Sequence, residues 1–277
     1  MRTRYTEITE TYFWDENWMG EKPRSLARIN KDRVFKVLKR YLPPAPPPDY
    51  RIIDAGSGLG EQVAYFAELG FDVVGIDNSP VALEKVKKYW GNKYHFECGN
   101  ILNLGQYPDR SFDFYLSLGV LEHFEQGLKE PLDEAWRLLK AGGIIAFSVP
   151  YINLWRRKLD SPLEDPTGKE FYYYLFDQKE LTETITQSKF QVLEFIPLPM
   201  PWAFWGDFPV LHKIPCARLL CRILAKTGGR LFPWSIAHMV LAIAKKREED
   251  RVVDREIDEK FSFESIQRGK YDGLYEF

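Results

Sequence analysis

The chain has 277 residues, of which 45% are apolar and 28% charged, and a net charge of -2. This is ordinary globular composition with ample material for a core, and it gives no global attraction to nucleic acid or to an anionic membrane. Three cysteines (Cys98, Cys216, Cys221) exclude a disulfide framework, so a cytoplasmic, reducing setting is the expectation.

The opening "MRTRYTEITETYFW" has no apolar run of signal-peptide length. The longest apolar stretch, residues 232–244, is too short to span a bilayer and holds His238. Leu26, Ile29, Val34, Val37, Leu38, Tyr41 and Leu42 recur at helical spacing, which predicts one amphipathic helix over residues 24–42 with a basic outer face. The prolines of residues 43–48 must end it. From residue 50 strands and helices alternate. "RIIDAG" reads as a buried strand, and "LGEQVAYFAELG" as a helix closing at Gly70. "FDVVGID" is a second strand, and "SPVALEKVKKYW" a helix with Ser79 as N-cap and Pro80 in its first turn. "YHFECG" and "SFDFYLSLG" are strands three and four. "EPLDEAWRLLK" is a helix stopping at Gly142-Gly143, and "GGIIAFSVP" the fifth strand. "DQKELTETITQS" is a helix capped by Asp177; "FQVLEFIPL" and "AHMVLAIAKK" are the last strands.

This order predicts an α/β fold, a doubly wound, seven-stranded and mostly parallel sheet with helices on both faces. Three regions follow: an N-terminal lid and helix (1–48), the main domain (49–246) with an aromatic-rich insert at 197–235, and a charged tail (247–277). In the tail, Val253, Ile257 and Phe261 are spaced for a docked helix.

The chemistry concentrates in "IIDAGSGLGEQ", residues 52–62. A dinucleotide fingerprint needs a glycine at position 61, where Glu61 stands, and no Lys-Ser/Thr follows for a Walker loop. A carboxylate at a helix start repels a diphosphate. Asp77, 23 residues past Asp54 at the end of the second strand, is placed to accept both hydroxyls of a ribose. A cationic nucleoside without phosphate fits these residues, and S-adenosyl-L-methionine has those features.

Together "IIDAGSGLGEQ", "VVGIDNSP", "CGNILNLGQYPDRSFDFYLSLGVLEHF" and "RLLKAGGIIAFSVP" resemble the class I S-adenosylmethionine-dependent methyltransferases, most closely those acting on small molecules. The resemblance covers residues 50–150 strongly and extends through 196 and over 237–246. It implies a Rossmann-like methyltransferase fold, S-adenosyl-L-methionine as cofactor and a small-molecule acceptor. By resemblance, Asp54 and the backbone of Gly56, Ser57, Gly58 and Gly60 hold the methionine end. Asp77 takes the ribose hydroxyls, Asn78 lies against the adenine, and Asn100 with Ile101 contacts the adenine edge. Asn100 departs from the aspartate common there, but its amide oxygen still accepts a hydrogen bond. Ser117, Leu118 and Gly119 line the floor under the sulfonium, with Glu122 and His123 at the mouth.

His123 is the one histidine near this site. It reads as a general base or as a structural side chain. The other three histidines have no metal-ligand spacing, so no metal is expected. Asn100 also reads as a turn residue, and Cys216 and Cys221 as core thiols. Tyr12, Trp14 and Trp18 are candidate lid residues and Tyr172 a candidate pocket wall, against ordinary packing over a sheet edge. The insert carries Lys213, Arg218, Arg222, Lys226 and Arg230 among its aromatics, which leaves peripheral membrane contact open, as in a lipid or quinone methyltransferase. The expected activity is in-line methyl transfer to an oxygen, nitrogen or carbon of an apolar or aromatic acceptor. The rivals are a non-catalytic S-adenosylmethionine-binding module, an NAD-dependent oxidoreductase and a macromolecule methyltransferase. No nucleic-acid reader or base-flipping loop is present in the sequence.

Overall fold

The computed structural model describes residues 2–6, 15, 18–159, 170–198 and 233–247. Most of the insert, the whole tail after residue 247, Tyr12, Trp14, Cys216 and Cys221 lie outside these residues.

The predicted seven-stranded sheet is present. Its strands are β2 (Arg51–Ala55), β3 (Asp72–Asp77), β4 (His95–Cys98), β5 (Phe112–Leu118), β6 (Leu139–Pro150), β8 (Phe190–Leu198) and β9 (Met239–Lys246). Their order is β4-β3-β2-β5-β6-β9-β8, with β2 to β6 parallel and β9 antiparallel to both neighbours. The chain reverses direction outward from β2, so the carboxyl ends of β2, β3 and β5 open onto one crevice.

Neighbouring residues of the inner strands face opposite cores, which is why these segments read as unbroken apolar runs. Ile52 and Phe114 pack with Phe35, Val63 and Phe66 on one face. Ile53 and Tyr115 pack with Leu132, Ala135, Leu181 and Ile185 on the other. Helix α3 (Glu61–Glu68) supplies Val63 and Phe66, and helix α5 (Lys129–Leu138) supplies Leu132 and Ala135. Helix α4 (Pro80–Trp90) starts as expected, with Ser79 Oγ accepting from the Ala82 amide. Helix α7 (Gln178–Gln187) opens on a full capping box between Asp177 and Glu180.

Four features depart from the sequence reading. The helix over 24–42 is two short ones, α1 (Leu26–Ile29) and α2 (Arg33–Leu38), followed by a single 3-10 turn. Asp32 makes the break, because its side chain accepts the Val34 amide and restarts the chain as an N-cap. Helix α5 ends at Leu138, ahead of Gly142-Gly143. Those glycines sit instead inside β6, where pairing with β5 jumps from Phe112–Leu139 to Phe114–Ile144. A side chain at Gly143 would stand 3.0 Å from the Lys140 carbonyl, so the crossing admits only glycine without a shift. Finally, β1 (Arg2–Thr6) and β7 (Glu170–Leu175) form a separate antiparallel ribbon that the sequence reading did not contain. In chain order the short helix α6 (Leu154–Leu159) follows β6 and the short helix α8 (Pro233–Ile236) precedes β9. Among the described residues no helix is long and apolar enough to cross a membrane.

Candidate cofactor and acceptor site

The glycine loop leaves β2 and turns at once into α3. Gly56, Gly58 and Gly60 hold φ of +83°, +50° and +74°, which only glycine adopts without strain. The amides of Gly56 and Ser57 both donate to the Ile76 carbonyl, at 2.8 and 2.9 Å, binding the loop to the end of β3. Trp90 Nε1 donates to the Leu59 carbonyl at 2.8 Å and braces the loop from α4.

Over this loop lies a cavity of about 870 Å³. Gly56 to Leu59, Asp77, Asn78, Asn100, Ile101, Leu118, Gly119 and His123 line it, so the structure gathers most of the predicted site in one place. Trp18 also lines it, its indole 2.8 Å from where a side chain on Gly58 would begin.

Some predicted residues take other places. Asp54 is buried beneath the loop, and neither carboxylate oxygen has a hydrogen-bond partner. Burial, then the neighbouring Asp77, pushes its carboxyl up to about 8. Gly60 packs against Phe96, which a side chain would strike at 2.4 Å, and does not line the cavity. Ser117 is fully buried and donates to the Ala55 carbonyl at 2.7 Å, so it ties β5 to β2 rather than flooring the cavity. Glu122 is also shut inside, 3% exposed, and burial lifts its carboxyl to about 8. Tyr172 stands behind His123, its ring centroid 5.3 Å from the imidazole.

Asp77 is not left free by the Ser79 cap. Its two oxygens accept the Gly58 amide at 2.7 Å and the Ser79 amide at 2.9 Å, coupling the glycine loop to the start of α4. A carboxylate offers about four lone-pair sites, so acceptor capacity remains for a ligand. Burial raises the Asp77 carboxyl, against the pull of these backbone donors. Asn100 turns its amide oxygen to the Leu102 amide at 3.0 Å, an Asx turn at the cavity wall.

His123 has a defined tautomer. Nδ1 lies 2.7 Å from the Tyr172 carbonyl, which only accepts, so Nδ1 carries the hydrogen. Nε2 is 3.9 Å from Glu122 Oε1. Burial holds the ring down to about 4, so it is neutral near pH 7.

Sequence reasoning missed the partner of Glu61. Arg24 donates to it from both its backbone N and its Nε, each at 2.6 Å, and from Nη1 to Asp32 at 2.6 Å. The helix-start carboxylate is therefore charge-compensated, and the case against a diphosphate rests on the glycine spacing. No run or motif in the sequence links positions 24 and 61. Among the described residues no group of His, Cys, Asp or Glu could hold a metal ion.

The family described as "Methyltransferase domain" matches residues 53–147, from the middle of β2 to that of β6. Over residues 53–147 the chain is thus similar to a methyltransferase domain, and its sheet has the Rossmann-like methyltransferase fold. A Bacillus subtilis (strain 168) protein named as the uncharacterized methyltransferase YodH is 30% identical over 162 residues. That match covers 56% of this chain and 65% of the relative, less than two thirds of its length. Among solved structures, a Haloferax volcanii methyltransferase in complex with the Trm112 activator superposes with a TM-score of 0.60 at 16% identity, covering 86% of this chain and 96% of that one. The [4+2]-cyclase SpnF gives 0.58 at 15% identity, covering 89% and 98%. An S-adenosylmethionine-dependent methyltransferase from Mesorhizobium loti gives 0.56 at 17%, covering 79% and 100%. At such identities these likenesses establish the fold. The cyclase shows that methyltransferase architecture also carries other chemistry.

Proposed function

We propose that the chain is an S-adenosyl-L-methionine-dependent methyltransferase acting on a small apolar or aromatic acceptor. One observation carries this reading: a partnerless buried carboxyl, Asp54, lies in the strand that runs straight into a left-handed glycine loop opening onto a large cavity. A buried acid without donors calls for a cation or a donor brought by a ligand.

The residues fit the cofactor. The loop turns sharply at the cavity wall, with Val120 packed on Gly56 and the Trp18 indole on Gly58, and the remaining acceptor capacity of Asp77 suits hydroxyl donors. Asn78, Asn100 and Ile101, which line the cavity, would hold the base, and Leu118 and Gly119, also in the lining, would lie beside the reacting centre. When bound, the cofactor supplies a methyl group already activated on a sulfonium. The chain's part is to align the acceptor and exclude water, which is worth roughly 7–11 kcal/mol in well-oriented reactions. His123, neutral with Nδ1–H fixed on the Tyr172 carbonyl, is suited to orient the acceptor by a hydrogen bond at Nε2 rather than to hold its proton.

Calorimetry with S-adenosylhomocysteine tests the reading. Binding in the micromolar range is expected, with Asp77→Ala weakening it at least tenfold. No heat at millimolar ligand, or tighter binding of NADH, overturns it.

A further inference from the structure

The acid at position 61 and its arginine have no role in the chemistry above. Their role lies in the segment that Arg24 ends. Residues 18–24 have one face to the cavity and one to solvent: Trp18, Glu21, Lys22 and Arg24 line the cavity, while Met19 is 65% exposed. This is the disposition of a cover.

The cover is fastened at both sides of the glycine loop. On one side Lys85 of α4 donates from Nζ to the carbonyls of Met19 and Glu21, at 2.7 and 2.8 Å. On the other, Arg24 holds Glu61 through backbone and side chain. Between them the Trp18 indole lies over Gly58. Just before the strap, Asp15 Oδ1 accepts from Ser79 Oγ at 2.6 Å. The anchors are thus on α3, on α4, on the residue that caps α4 and, through Arg24 Nη1 on Asp32, on the cap of α2.

These fastenings are of a kind that opens. The Arg24 side chain is 37% exposed, and its bonds are ion pairs that salt screens. Lys85 reaches carbonyls from an exposed position. Among the described residues of the strap the apolar seal is the Trp18 indole. Glu61 also sits in the first turn of α3, where the helix end favours its negative charge whether or not Arg24 is docked.

We propose that residues 18–24 are a gate for cofactor exchange, latched by Arg24 on Glu61 and by Lys85 on the Met19 and Glu21 carbonyls. Arg24, Glu61 and Lys85 are positioning residues that set how long the ligand stays. Trp18 is the face of the gate toward the ligand. The gate explains why an acid replaces glycine at position 61: the helix start serves the strap rather than a phosphate.

The proposal rests on the cofactor reading above, and the test separates the two. Release of S-adenosylhomocysteine from the full chain is followed by stopped-flow tryptophan fluorescence. Arg24→Gln and Glu61→Gln are each expected to speed release ~3–10-fold, and the double variant no more than either single. Lys85→Met is expected to speed it independently of both. Arg24→Lys retains part of the latch and covers the case of a variant that fails to fold. Raising salt from ~0.05 to ~0.5 M is expected to speed release from the unsubstituted chain and hardly from Arg24→Gln. Release within twofold of the unsubstituted chain in all these variants overturns the gate. So do fully additive effects of Arg24→Gln and Glu61→Gln. If the unsubstituted chain binds no S-adenosylhomocysteine, the cofactor reading itself fails.

Discussion

Asp77 accepts two backbone amides and Asp54 accepts none, and this difference sets what each carboxyl can do. Asp77 has a structural task before any ligand arrives. Asp54 carries a desolvation cost with nothing to offset it, which is why its carboxyl sits near 8, well above an unfolded value near 3.8. An acid with a raised folded value stabilises the fold most below its unfolded value. That contribution is lost as pH climbs through about 8. Asp54→Asn removes the titration. The melting temperature of the variant relative to the unsubstituted chain is therefore expected to rise steadily from pH 5 to pH 8, while affinity for S-adenosylhomocysteine falls at least tenfold. A pH-independent difference in melting temperature contradicts this account. Asp77 and the glycine loop stood out by their spacing and Asn100 by the family resemblance, and Asp77, Asn100, Gly56 and Gly58 line one cavity. The inward turn of Ser117 was not, because a strand's sequence gives alternation but not which face meets a ligand. The Arg24–Glu61 pair was invisible for a simpler reason: 37 residues separate its members.

At the scale of elements, the glycine loop is held rigid from outside. Phe96 fills the space over Gly60 and Gly75, and Trp90 bonds the loop's carbonyl. Gly60→Ala meets both a left-handed backbone and the Phe96 ring at 2.4 Å, and is expected to cost about 1–3 kcal/mol with a matching loss of ligand affinity. Gly20→Ala, with nothing within 4 Å, is the control and is expected to change stability by less than about 0.5 kcal/mol. Chemical denaturation of the two variants checks the contrast. Most elements were readable because buried parallel strands are continuous apolar runs and the helices carry strong caps at Ser79 and Asp177. The β1–β7 ribbon was not. "FYYYLF" has no alternation of polar and apolar residues, and its partner strand lies at the far end of the chain.

At the scale of the whole molecule, one buried lysine joins the last described strand to the middle of the fold. Lys246 is 2% exposed, and its Nζ donates to the carbonyls of Trp136 and Leu139 at 2.7 and 2.8 Å. The ammonium also lies 3.8 Å from the Trp136 ring centroid. It thus caps the last turn of α5, whose final carbonyls have no partner within the helix. Lys246→Met is expected to cost about 2–4 kcal/mol, seen as a lower denaturation midpoint at unchanged m. The fold class was legible in the sequence, but the place of the final strand was not, since sheet order depends on pairings that no local pattern encodes. That place governs synthesis. As the chain emerges from a ribosome, β6 and β8 each expose an unfilled edge until residues 239–246 slot between them. Unfilled edges invite pairing with other chains. The nascent polypeptide is accordingly open to mispairing during the interval before its closing strand arrives.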